Sequence, residues 1–269
     1  MLLLIFGLSG CSGLFFFPDS TTYITPDRLD LEYEDVWLDT PDGERLHGWF
    51  IPAKGEVRGS VYFLHGNAQN ISAHLLNVAW LPEQGYNLFM PDYRGYGRSS
   101  GTPDLDGAVL DAKAGLSWLA RNHPEQPVIL LGQSLGGALA LVLASDWTGR
   151  AEQPPLHAVI VDGAFSGFRS IAQEKLADFW LTWPLQLPLS LTIPDQYDGV
   201  QYIAGISPTP LLIIHSARDG IIPYSHALRL LEAAGPPSKL LTTDTPHTAT
   251  FLIPAYRRAL LDFIEQPLH

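Results

Sequence analysis

The sequence predicts an α/β fold in which a mostly parallel central sheet is covered by helices on both faces. Three observations lead there. Short apolar runs alternate with stretches of helical periodicity from about residue 60 to the end of the chain. A strand pair around a Pro-Asp-Gly turn precedes them and reads as an antiparallel hairpin at one sheet edge. With 269 residues, 46% hydrophobic and only 16% charged, the chain can bury a sizeable core.

The elements follow in order. Val36–Thr40 and Arg45–Ile51 flank the turn Pro41-Asp-Gly-Glu44. Ser60–Leu64 is a short strand that ends at His65-Gly-Asn67, and a helical pattern from Ser72 to Glu83 is closed by Gly85. Tyr86–Met90 is the next strand. Asp106–Arg121 carries Val109, Leu110, Leu116 and Leu119 at helical spacing and must stop before Pro124. Val128–Leu131 is a buried strand and Leu135–Ser145 a helix. Strands follow at His157–Val161 and Pro210–His215, then a helix at Ser225–Ala234 capped by Gly235. Lys239–Thr243 is the last strand and Ala255–Ile264 the closing helix. No repeat or low-complexity tract interrupts them, so residues 31–269 form one domain.

One segment breaks the rhythm, at about 165–206. It holds Phe165, Phe168, Phe179, Trp180, Trp183 and the run LTWPLQLPLSLTIP. Its prolines forbid a long helix and it is too apolar for a bare loop. It reads as a small cap over the C-terminal edge of the sheet; the other reading is extra helices packed on the core.

The formal net charge is −12 and no Lys/Arg cluster occurs, so a nucleic-acid partner is not expected. A single cysteine, Cys11, excludes an intramolecular disulfide, and no Cys/His group has zinc spacing. Residues 1–17, MLLLIFGLSGCSGLFFF, carry no charged side chain and read as an export segment. Leu8-Ser-Gly-Cys11 resembles the bacterial lipoprotein box, whose cysteine is lipidated, although a basic n-region is missing. A simple hydrophobic anchor or a cleaved signal is the alternative. The lipoprotein reading makes the membrane a partner, through Cys11. Ser12 after the cysteine carries no inner-membrane retention mark, which implies an outer membrane facing the periplasm where the host has one. Residues 18–30 have turn formers and no periodicity, and read as a linker.

The chemistry centres on GQSLGG, Gly132–Gly137, between the apolar runs 128–131 and 138–144. A strand–GxSxG–helix context is what a nucleophile elbow needs: small residues allow the strained turn that lifts Ser134 above the sheet edge. A serine needs a base, and His247 directly follows the last strand. His215 precedes the acid candidates, and His226 opens a helix, where it reads as a capped surface residue. For the acid, Asp219 lies in a turn at the end of the preceding strand, in HSARDGIIP. Asp244 is its rival and Asp162, one strand earlier, a fallback. The backbone N–H groups of Asn67 and Leu135 are the expected oxyanion hole. His65 is expected to brace its loop, and Asp92–Arg98, with its glycines and Arg94, to be a braced turn.

Together HGNA, PDYRGYGRSSG, GQSLGG, HSARDGIIP and PHTA resemble the α/β-hydrolase superfamily. Within it they resemble the branch of serine-aminopeptidase-like bacterial hydrolases and eukaryotic α/β-hydrolase-domain depalmitoylases. The resemblance implies the α/β-hydrolase fold and a serine hydrolase that cleaves esters or thioesters of apolar acyl groups through an acyl-enzyme, with no cofactor. A membrane-tethered serine peptidase of the same fold is one alternative. A non-catalytic binding or scaffold protein is the other.

Overall fold

The computed structural model describes residues 15–150, 153–177 and 182–265. The first hairpin is closed at Thr40, whose N–H donates to the Glu44 carbonyl at 2.8 Å, with Gly43 at φ 92° between them. It joins β1 (Glu34–Asp39) to β2 (Arg45–Ile51) with Asp39 opposite Arg45. Then come β3 (Gly59–Leu64), β4 (Tyr86–Pro91), β5 (Val128–Gln133), β6 (Leu156–Asp162), β7 (Leu211–Ser216) and β8 (Ser238–Thr243).

These eight strands form one sheet in the order β1-β2-β4-β3-β5-β6-β7-β8. From β4 to β8 every pair is parallel; β2 runs antiparallel to both its neighbours. This is the α/β-hydrolase fold, with its hairpin at the sheet edge as expected.

Side-chain alternation builds two cores from each strand. Tyr62, Leu64 and Leu130 face a layer shared with α2 (Leu105–Asn122) and α3 (Leu135–Thr148). Val61, Phe63, Ile129 and Leu131 face the other, which contains α1 (Ile71–Val78) and α8 (Pro254–Ile264). Because both faces are covered, β3 to β7 are apolar almost without break. Helix α3 is buried from Leu135 to Ala144, since α6 (Gly199–Tyr202) and the 3-10 turn Ile203–Ile206 cover the side turned from the sheet.

Between β6 and β7 the chain forms α4 (Phe168–Ala177), a short α5 (Gln186–Ser190) and α6. Phe165 and Phe168 are buried in the core, with ring centroids 4.8 Å apart. Phe179 and Trp180 lie outside the described residues, as does Cys11 with the whole lipoprotein box. Helix α7 (Ser225–Ala233) follows β7.

The structure differs from expectation in three places. The helix read at 72–83 is α1, ending at Val78, followed by a separate 3-10 turn, Pro82–Gln84, that Gly85 closes at φ 85°. Pro82 lacks the N–H a continuing helix would need. Gly235 does not cap α7: Ala234 already turns into extended backbone with ψ 139°. The third concerns the linker.

Residues 18–30 are docked on the domain. Phe17–Pro18 pair in parallel with Ala68–Gln69. Asn70 Nδ2 donates to Asp19 Oδ1 at 2.9 Å and to the Thr21 carbonyl at 2.7 Å, and a 3-10 turn runs over Pro26–Leu29. Phe16 is buried, so the boundary at residue 17 also falls inside a packed segment. Most of the groups the segment itself uses are main-chain carbonyls and amides, which leave no side-chain periodicity.

The turn after β4 is braced by ions. Arg94 donates through Nε and Nη2 to Asp111, and through Nη1 to Asp42 at 2.7 Å. Asp92 is buried, accepting the Ile71 N–H at 2.8 Å. Burial raises its pKa from the ordinary 3.8 to about 8, against the lowering effect of that N–H. Folding therefore retains a proton that the unfolded chain loses above pH ~4, and this opposes folding increasingly up to pH ~8. Asp92→Asn is expected to gain stability relative to the parent by up to about 1.4 kcal/mol per pH unit between pH 5 and 8. Urea unfolding at several pH values checks this; parallel stability curves for the two proteins would overturn it.

Candidate active site

Between Gln133, the last residue of β5, and Leu135, the first of α3, the chain turns through Ser134 at φ 53° and ψ −116°. A left-handed φ on a residue with a Cβ costs on the order of 1–3 kcal/mol, and the surroundings impose it. The Ser134 N–H donates to the Asp162 carbonyl on β6 at 2.9 Å, and its carbonyl accepts from Ala138 in α3 at 3.1 Å. The strand and helix approach so closely that a Cβ on Gly132 would meet the Gly136 carbonyl, and one on Gly136 the carbonyl of Leu64. Both glycines of the motif are there because backbone fills the space.

His247 and Asp219 come together from the loops after β8 and β7. His247 Nδ1 donates to Asp219 Oδ2 at 2.6 Å, while the Ile221 and Ile222 N–H groups donate to Oδ1 at 2.8 and 2.9 Å. Burial raises the Asp219 pKa, but the hydrogen bond and charge of His247 and these two N–H groups outweigh it and leave the carboxyl below its ordinary value. Gly163, at φ 64°, makes room for the pair: a Cβ there would sit 3.2 Å from His247 Nδ1.

Asp162 supports the loop from behind. It accepts from Gln133 Nε2 at 2.8 Å and from Thr250 Oγ1 at 2.9 Å, and Gln133 also donates to the Thr248 carbonyl at 3.2 Å. Burial pushes its pKa up to about 6, with both hydrogen bonds and the His247 charge pulling the other way. Asp244 is exposed and accepts from the Tyr256 hydroxyl at 2.9 Å, away from His247.

Asn67 and Leu135 line the same cavity as Ser134 and His247. The Asn67 carbonyl is doubly occupied, by the Phe17 N–H at 2.8 Å and the Tyr96 hydroxyl at 2.7 Å, which fixes the peptide plane of this loop. His65 is wholly buried; its Nδ1 donates to the Gly66 carbonyl at 2.7 Å and its ring packs on Tyr93 at 4.4 Å. Desolvation, then the neighbouring His74, keeps it neutral. His65 thus supports the loop through its ring.

The cavity above Ser134 holds about 490 Å³ and its walls are mostly apolar: Phe165, Ile171, Leu176, Ile222, and Phe15 with Phe17 from the N-terminal segment. Lys175 is the one charged residue among its described lining, and no carboxylate belongs to that lining. Phe15 and Phe17 were hidden in the sequence by an export segment that accounts for apolar residues without any pocket.

A second Ser/His/acid cluster lies between α4 and α7. His226, read from the sequence as a surface residue, is wholly buried there. Its Nδ1 accepts from the Ser166 N–H at 2.9 Å and is 2.9 Å from Ser166 Oγ; its Nε2 donates to Glu174 Oε2 at 2.9 Å. Desolvation, over the opposing Glu174 charge, lowers the His226 pKa. Arg229 Nη2 holds the other Glu174 oxygen at 3.0 Å. Ser166 borders a different cavity, with Asp198, Arg229 and Glu232. Its backbone is not left-handed, and no helix starts at the following residue.

With a strained serine at a strand–helix junction and a histidine paired with a carboxylate at the same cavity, the molecule is a serine hydrolase of the α/β-hydrolase superfamily. Sequence comparison makes the class specific: the chain belongs to the Hydrolase_4 family, described as serine aminopeptidase, S33, whose model matches residues 55–201. It is 35% identical to the uncharacterized protein YfhR of Escherichia coli (strain K12) over 265 residues, 95% of this chain and 87% of YfhR. It is 34% identical over 224 residues to the α/β hydrolase domain-containing protein WAV2 of Arabidopsis thaliana, 78% of this chain and 70% of that one. Among solved structures, the Pyrococcus furiosus esterase Pf2001 has the same fold, with a TM-score of 0.75 at 24% identity over 95% of this chain and 99% of the esterase.

Proposed function

We propose that this hydrolase cleaves esters or thioesters of apolar acyl groups, with Ser134 as nucleophile, His247 as general base and Asp219 as its orienting carboxylate. One observation carries the choice of substrate: the cavity above Ser134 is apolar and its described lining has no carboxylate. An aminopeptidase must neutralise a substrate ammonium group, and the described lining offers no carboxylate for it. An acyl chain, by contrast, gains about 0.8 kcal/mol for each methylene it buries.

In this reading Ser134 Oγ attacks the acyl carbonyl carbon while its proton passes to His247 Nε2. The Leu135 and Asn67 N–H groups hold the developing oxyanion, helped by the positive end of α3. Collapse breaks the bond to the leaving group, which takes the proton from His247. Water, deprotonated by the same histidine, then releases the acid. Asp219 keeps the proton of the neutral ring on Nδ1, so that Nε2 faces the serine.

The Ser166–His226–Glu174 cluster is the second reading, favoured by its unbroken hydrogen bonds. Against it stand the polar cavity and the ordinary backbone of Ser166. Ser134→Ala is expected to abolish fluorophosphonate labelling and lower kcat by several orders of magnitude, whereas Ser166→Ala keeps both. Asp219→Asn is expected to lower kcat far more than Asp244→Asn. Labelling that survives Ser134→Ala and disappears in Ser166→Ala would transfer the reaction to the second cluster.

Substrate length is expected to matter strongly. Across p-nitrophenyl esters, kcat/KM rises about fourfold per methylene from acetyl to medium chains and falls by palmitoyl. A steady decline from acetyl onward would leave a short-chain esterase.

The lipoprotein box supports a further part of the proposal, that the chain is exported and anchored through a lipidated Cys11, facing the periplasm from the outer membrane of a diderm host. Mass spectrometry of native protein is expected to find an acylated N-terminal cysteine. An intact chain beginning at an unmodified Met1 would rule this out.

A further inference from the structure

We infer that the rim of the Ser134 cavity is a lipid-docking surface, which lets the enzyme take acyl substrates directly from a bilayer. This rests on the acyl-cavity reading above and adds to it the phase from which substrate arrives.

The observation is a cluster of large apolar side chains that the fold leaves in solvent. In and beside α5, Leu185, Leu187, Leu189 and Leu191 are 49%, 60%, 42% and 66% exposed. Leu187 and Leu191 are four residues apart and so share one row of the surface. Phe17 at 61% and Ile221 at 52% join them from two other parts of the chain. Phe17, Leu189 and Ile221 also line the cavity, so the exposed patch and the cavity wall are continuous. Scattered exposed leucines need no explanation; a contiguous patch around the mouth of an apolar site does.

The occupant is argued from charge and from the chain itself. Residues 179–194 contain no charged side chain, so the outer surface of this part of the cap offers nothing for an ionic partner. The protein carries a net charge of −12, which opposes electrostatic attraction to anionic lipid. The docking is hydrophobic, and zwitterionic phospholipid suffices. Residues 1–14 are uncharged in their side chains, and the described chain begins at Phe15, itself in the cavity wall. Three residues lie between Cys11 and Phe15, a reach of at most about 14 Å over the four steps. A lipid on Cys11 would therefore hold this rim, rather than any other face, against the headgroups. No described helix is long and apolar enough to cross a membrane, so the patch would lie in the interface, at a depth on the order of 5–10 Å.

The test uses the full chain with Cys11→Ala, carrying an environment-sensitive fluorophore on Leu187→Cys or, as control, on Val57→Cys. Val57 is 40% exposed and lies just before β3, at the opposite end of the strands from Ser134. With phosphatidylcholine vesicles, the label at 187 is expected to shift to the blue and to do so equally in 0.5 M salt, while the label at 57 does not respond. Because this readout needs no turnover, adding Ser134→Ala leaves it unchanged. In a second measurement, Leu187→Glu with Leu191→Glu is expected to lower hydrolysis of a vesicle-borne acyl ester at least tenfold, and that of a soluble butyrate ester less than twofold. No shift at 187, equal shifts at both positions, or loss of the shift in salt would overturn the inference. A shift that appears without vesicles and grows with protein concentration would assign the patch to a second copy of this chain and overturn it too.

Discussion

The close approach of backbone to backbone at Gly132, Gly136 and Leu64 is the constraint on which the rest of the site depends. It lets α3 start directly above the ends of β3 and β5, and it forces Ser134 into a left-handed turn between them. The consequences spread outward from that turn. Leu135, the first residue of α3, and Asn67 come to line the same cavity as the serine, and β6 is tied to the serine by a main-chain hydrogen bond. None of this is available to a residue in a relaxed loop, and Ser166 illustrates the difference. It has a histidine and a carboxylate in line, yet its backbone is not left-handed and α4 begins only two residues later, at Phe168.

Two carboxylates stand near His247, and their surroundings divide them. Asp219 receives two backbone N–H groups and the imidazole, which favour its charged form. Asp162 receives a side-chain amide and a hydroxyl in a fully buried position, where desolvation dominates. The first is suited to holding an imidazolium through a reaction. The second acts on the His247 loop through Gln133 and Thr250, as a structural tie that takes up its proton at higher pH than an ordinary carboxylate. Residue type alone does not separate these roles; the donors that each carboxylate meets do.

What was legible in the sequence follows the range of the forces involved. The elbow is local: its glycines, serine and flanking apolar runs are contiguous, so the steric requirement is written in one stretch. That the Asp219 and His247 side chains meet was legible because each lies in a loop just after a strand, and a parallel sheet delivers strand ends to one edge. The helix break at Pro82 was missed because an apolar period continued through it. His226 was misread because its partners, Ser166 and Glu174, are 60 and 52 residues away in sequence. The docked segment before Leu31 was missed because it is fastened largely through its carbonyls and amides, which are common to every residue.

That fastening also sets how mechanical load would enter the molecule. Pulling on the chain from its N-terminal side first loads the packing of Phe15 on Phe168 and of buried Phe16 on Tyr96, then the Phe17–Pro18 pairing with Ala68–Gln69 and the bond from the Phe17 N–H to the Asn67 carbonyl. The next resistance comes from Tyr96, whose hydroxyl clamps that same carbonyl. Tension entering ahead of Phe15 would thus be shared between the core around Phe16 and the Asn67 peptide. The first described residues and the wall of the cavity form a single mechanical unit, so that force entering ahead of Phe15 reaches both together.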